Sequence, residues 1–179
     1  MRRHYRALAL ILAAITPQAV LAQISGSIDA TINLTTGCII NGQSADDGAT
    51  AVDFGSIDFG SHNTLFTSAD GEVMGGAAGI AIQCSPGVVP TLSFGTGQHD
   101  GQGSGAGNRA MAHASSAGHY VNYGLYSDAG RNSLIAINGS FNLASDGSAQ
   151  TVRIYGRAYG ATGLVSGTYT DNVLVTLAF

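Results

Sequence analysis

Along residues 24–34 the apolar or small side chains Ile24, Gly26, Ile28, Ala30, Ile32 and Leu34 alternate with Ser25, Ser27, Asp29, Thr31 and Asn33. A period of two places each set on its own face of an extended chain, so the segment is predicted to be a strand with one apolar face. The same period returns at the other end in Val173, Val175, Leu177 and Phe179. Between them, strands are predicted at residues 52–54, 57–59, 79–84, 91–94, 120–126 and 150–159, where apolar and β-branched positions are bounded by Gly, Asn, Asp or Ser. Residues 95–117 hold Gly, Ser, Ala, Asn and His with no apolar rhythm, and are predicted to be a long exposed loop. No segment carries a capped helical period. Many short strands joined by turns point to an all-β sandwich.

Composition agrees with that reading. Apolar residues are 45% and charged residues 10% of the 179-residue chain, which excludes a charge-solvated disordered protein and leaves room for one packed core. Glycine occurs 26 times without a three-residue period, as suits a chain with many turns.

Charge is distributed unevenly. Arg2, Arg3 and Arg6 precede an apolar run over residues 7–15 and the small-residue site Val20-Leu21-Ala22. This pattern predicts a secretory signal peptide over residues 1–22, too short to span a bilayer. The flanks of Arg2-Arg3 match a twin-arginine signal poorly, so general export is expected. The remaining 157 residues contain eleven acids and four arginines, a formal charge of −7, which disfavours nucleic acid or an anionic membrane as partner. Cys38 and Cys84 are the only cysteines, and an even pair in an exported chain is most simply a disulfide, here closing a loop of 47 residues.

Catalytic motifs are scarce. Asp53-Phe54-Gly55 and Asp58-Phe59-Gly60 repeat a kinase metal-binding triplet, but no catalytic or phosphate-covering loop accompanies them, and two strand ends with inward Phe explain the repeat. Gly97, Gly101, Gly103, Gly105 and Gly107 do not fit a dinucleotide fingerprint. His99, His113 and His119 lie in the least patterned stretch at spacings of 14 and 6, unlike a metal-ligand set. No G-x-S-x-G elbow occurs, and no pair of carboxylates stands out for glycoside hydrolysis. Asn33-Leu34-Thr35 and Asn138-Gly139-Ser140 match a glycosylation sequon, relevant only in a eukaryotic secretory pathway. The chain is therefore expected to be no enzyme and to need no cofactor.

Several segments resemble spore coat U domain proteins: residues 26–38 (GSIDATINLTTGC), Phe54-Gly55, Gln83-Cys84-Ser85, residues 123–131 (YGLYSDAGR), residues 152–157 (VRIYGR) and residues 166–179 (SGTYTDNVLVTLAF). Their order spans essentially the whole exported chain. The resemblance implies a pilin subunit of the archaic chaperone–usher pathway, which builds thin fibres for surface attachment and biofilm. It further implies an immunoglobulin-like sandwich that lacks its last strand. A periplasmic chaperone lends that strand first, and the amino-terminal extension of a neighbouring subunit replaces it at the outer-membrane usher. On this reading residues 23–34 are the donor extension and residues 35–179 the domain. Val173, Val175, Leu177 and Phe179 would line the acceptor groove and the chaperone's edge. Absence of room for a receptor-binding domain makes a shaft or adaptor subunit the expectation.

Three alternatives stay open at this point. A secreted coat protein could use the same sandwich without an usher. An outer-membrane β-barrel also alternates and ends in Phe, although a chain without Trp supplies no aromatic girdle. A carbohydrate-binding module or small hydrolase would need a ligand site that the residues do not reveal.

Overall fold

A computed structural model describes residues 22–76, 79–103 and 109–179. The predicted signal peptide lies outside the described residues except for Ala22. The chain divides into two units, Met1–Leu34 and Thr35–Phe179. In the first, residues 22–34 carry no strand and are exposed throughout.

The second unit is all-β. In chain order its strands are β1 (Gly37–Ile40), β2 (Gln43–Asp46), β3 (Ser56–Ile57), β4 (Ser68–Met74), β5 (Ile80–Cys84), β6 (Thr91–Gly97), β7 (Arg109–His113), β8 (Tyr120–Tyr126), β9 (Gly139–Asn142), β10 (Gln150–Val152), β11 (Tyr155–Tyr159), β12 (Tyr169–Thr170) and β13 (Val173–Ala178). They form three open sheets, ordered β10-β5-β1-β2, β12-β7-β8-β11-β4-β3 and β13-β6-β9. Every strand pairing is antiparallel.

Alternation decides which side chains go inward. Ile80, Ile82 and Cys84 of β5 are buried while Ala81 and Gln83 are exposed, and Leu92 and Phe94 of β6 point inward in the same way. All three sheets feed one continuous core. Ile40, Ile80 and Ile82 of the first meet Val121, Tyr123, Leu125 and Ala158 of the second and Leu92 and Phe94 of the third. Cys38 and Cys84 face each other across β1 and β5 and are joined, as the sequence predicts.

Residues 52–54 form no strand, because Asp53 closes a turn onto the Gly55 amide there, and two further predictions require correction. Residues 150–159 are not one strand: β10 pairs with β5 in the first sheet, whereas β11 pairs with β8 and β4 in the second. The chain changes sheet at Arg153-Ile154, and the fully buried Ile154 side chain seals the crossing. Residues 95–117 are also not a continuous exposed loop, since they contain the end of β6 and all of β7. Arg109 is completely buried there, donating to the carbonyls of Ile135 (2.8 Å), Gly95 (3.2 Å), Ala136 (3.3 Å) and Phe94 (3.4 Å). Burial pushes its pKa down from the usual value, so these four carbonyls replace the water that the guanidinium has lost. A buried arginine whose two terminal nitrogens donate to backbone, with Nε left without a partner, has no apolar signature, which is why the pattern conceals β7.

On the outer side of the second sheet, Asp70 accepts a fork from Arg157 (2.6 and 2.9 Å) and faces Arg131 at 3.2 Å. The hydrogen bond from Arg157, with both guanidinium charges, holds the Asp70 carboxyl below its usual pKa. A depressed folded-state pKa contributes stability that is complete above the ordinary carboxylate range and is lost as pH falls through the lowered value. An Asp70→Asn variant should therefore lose less stability than the parent over that acidic window in pH-resolved denaturation. Replacing both Cys38 and Cys84 by Ser should cost about 4 kcal/mol through the freed loop. The expected readout is a lower thermal midpoint, and an unchanged midpoint would show that the bridge adds nothing.

Candidate functional site

Two sheet edges meet the same groove. Among the described residues β13 pairs only with β6 and is the last strand of its sheet; β2 pairs only with β1 and ends the first sheet. Between them lies a groove of about 750 Å³, lined by Ile40, Ala45, residues 46–55 and residues 172–179. Six strand residues at roughly 3.3 Å each give β13 a length of about 20 Å. One wall of the groove is thus an edge strand about 20 Å long.

Local chemistry builds both walls. Asn41 and Gly42 join β1 to β2 with φ of 49° and 83°, the left-handed pair that a two-residue hairpin turn requires. The Asn41 side chain then works in both directions. Its amide nitrogen donates to the Asp53 carbonyl (2.9 Å), and its oxygen accepts from the Ala81 amide (2.9 Å). This ties residues 46–55 to β5, while Val52 and Phe54 pack against the core. Asp53 and Asp58 each accept from the backbone amide two residues on, at Gly55 and Gly60 (2.8 Å each). The repeated Asp-Phe-Gly is therefore a pair of side-chain-closed turns that set Phe54 and Phe59 against the core.

On the opposite wall, Val173, Val175 and Leu177 turn half-buried side chains toward the core, while Leu174, Thr176 and Ala178 face out. Phe179 lines the groove at its end and is 37% exposed. The lining mixes apolar Ile40, Ala45, Val52 and Phe54 with Asp46, Asp47 and Asp53, and holds no arginine. Ile24, Ile28, Ile32 and Leu34 are 101%, 97%, 82% and 80% exposed, with Gly26 and Ala30 exposed between them.

The histidines do not converge. His99 bonds to Asp171, whereas His113 accepts the amides of Ser115 (3.0 Å) and Ser116 (2.9 Å) at Nδ1 and donates from Nε2 to the Ser166 carbonyl (3.1 Å). Among the described residues no His, Cys, Asp or Glu cluster could hold a metal ion. A second cleft, about 670 Å³, is lined by residues 57–64, Phe66 and residues 164–169, and includes Ile57 of β3 and Tyr169 of β12, the two edge strands of the six-stranded sheet. The sequence reading missed β2 and placed a strand at 52–54, where the structure has the irregular wall at 46–55. The signal that marks them is Asn41-Gly42, a strong hairpin dipeptide.

The family model described as Spore Coat Protein U domain matches residues 24–176. No curated protein matches. Among solved structures, similarity extends to a chain of the CsuC–CsuE chaperone–tip adhesion subunit pre-assembly complex, from the archaic chaperone–usher Csu pili of Acinetobacter baumannii. The TM-score is 0.44 and the identity 17%, over 81% of this chain and 40% of that one. The chain thus spans less than half of that relative.

Asn41→Ala removes both bonds that anchor the groove wall and should cost about 1–3 kcal/mol. Faster amide exchange over residues 46–55, with β8 unchanged, is the expected result.

Proposed function

The chain belongs to the Spore Coat Protein U domain family, and from that premise we propose that it is a structural subunit of a chaperone–usher fibre, assembled by donor-strand exchange. The observation that carries this reading is the groove between two unpaired edges, in a chain whose residues 24–34 alternate without occupying a strand. One strand inserted between β13 and β2 would merge the three-stranded and four-stranded sheets in the order β9-β6-β13-donor-β2-β1-β5-β10. The result is a completed immunoglobulin-like sandwich.

Both parts of the interaction are present in the residues. The free edge of β13 offers backbone donors and acceptors that an extended chain satisfies. An edge of about 20 Å takes in Ile28, Ile32 and Leu34, whose burial at ~1.5–3 kcal/mol each gives about 4.5–9 kcal/mol before ordering costs. Gly26 and Ala30 require only shallow space between the larger side chains.

In this account a periplasmic chaperone fills the groove first, and residues 23–34 of a neighbouring subunit replace its strand at the outer-membrane usher. The product is an extracellular fibre serving attachment and biofilm. A donor segment on the subunit itself favours a shaft or adaptor position over the tip. Open sheets with free edges do not form an outer-membrane barrel, in which the sheet closes on itself.

A peptide of residues 23–34, added to a domain beginning at Thr35, tests the reading by thermal unfolding. A large rise in midpoint that vanishes with an Ile28→Asp peptide is expected. A stable domain indifferent to the peptide would mean a closed module and would end the donor-strand account.

A further inference from the structure

Asp171 stands in the closing Tyr169-Thr170-Asp171-Asn172-Val173 stretch, immediately between β12 and β13, and nothing in the donor-strand account yet requires it. Its side chain is only 2% exposed. Every bond it makes reaches another element. Oδ2 accepts from the Tyr123 hydroxyl of β8 (2.7 Å), and Oδ1 accepts from the His99 amide (3.3 Å) and from His99 Nδ1 (3.1 Å), just beyond β6. Tyr123 is itself buried, and burial together with the Asp171 bond raises its phenol pKa far above the usual value, which keeps it a donor. The seat is closely shaped. A methyl group on Gly97 would overlap the Asp171 carboxylate, so Gly is needed where β6 ends against it.

The location matters because the β13–β6 ladder is irregular there. Its register shifts between Val173 and Val175, so regular pairing is interrupted at the start of β13 and resumes at Val175↔Phe94. Arg109 fixes the β6 side of this irregularity by donating to the Phe94 and Gly95 carbonyls. Asp171 fixes the β13 side, assisted by the Gln98 amide donating to the Asn172 carbonyl (3.0 Å).

We infer that Asp171, held by Tyr123 and His99, is a positioning residue of the groove: it locks the first residues of β13 in place, so that the strand's free edge is preorganised to receive a partner strand. A wall already ordered does not have to be ordered at the moment of binding. The consequence for strand uptake rests on the donor-strand reading, whereas the clamp on β13 does not.

The test uses the full-length protein and its Tyr123→Phe, Asp171→Asn and His99→Gln variants, with residue-resolved amide exchange and titration with the 23–34 peptide. Tyr123→Phe deletes one hydroxyl and keeps the ring, so it stays informative even where Asp171→Asn fails to fold. The expected result is exchange about tenfold faster at Val173 and Leu174, with Leu177 and β5 unchanged, and peptide affinity about tenfold weaker, as for loss of a bond to a charged group. Faster exchange spread evenly over β5, β8 and β13 would reduce Asp171 to a general stabiliser and overturn the inference. Unchanged exchange and affinity would overturn it equally. Failure of the parent protein to bind peptide would remove the donor-strand reading, while the exchange pattern would still decide the clamp.

Discussion

The free edge of β13 is the constraint on which the molecule turns. A strand buried on one face and paired on one side leaves a row of amides and carbonyls that find partners in water, in another chain or in an aggregate. Here that row borders the apolar Ile40, Ala45, Val52 and Phe54 and faces a second unpaired edge at β2. Pairing demand and apolar exposure therefore coincide along about one strand length. An extended chain with alternating apolar side chains meets both demands at once, which a small ligand or a helix does not.

Much of the remaining architecture keeps that gap defined. The hairpin at Asn41-Gly42 and the two bonds of Asn41 hold one wall. The Cys38–Cys84 bridge ties β1 to β5 directly behind it. On the other wall, buried Arg109 and Asp171 secure β6 and the start of β13 where their ladder is irregular. These polar groups are internal, and their bonds are made mostly to backbone. They resist collapse of the groove by fixing its rims rather than by filling its floor, in keeping with a site whose apolar residues await a partner.

Sequence patterning revealed the parts that obey a period of two. The all-β class, β5 and β13 were legible because inward and outward residues alternate there, and the disulfide pair because the chain holds just two cysteines. Strands β4 and β9 were not predicted, and three further features were hidden, each for a physical reason. β7 begins with a buried arginine and small residues, so its burial leaves no apolar mark. β10 and β11 read as one run because Ile154 continues the apolar pattern while the backbone changes sheet. The wall at residues 46–55 is irregular, held by Asn41 and Asp53 rather than by a ladder. Of the candidate site, β13 could be named from the sequence. Its opposite wall and the Asp171 clamp depend on side-chain bonds between residues 40 and 48 positions apart, which carry no periodicity.

The central claim is that residues 24–34 of one copy occupy the groove of another. Crosslinking between two differently tagged populations tests it most directly: one carries Ile28→Cys, the other a single added cysteine at Val173, Val175 or Leu177. The account predicts disulfides joining the two tags, at the groove positions closest to Ile28 and absent when Ile32 is changed to Asp. Cysteines at position 28 that never join the groove of a second chain, in a preparation that still forms fibres, would contradict it.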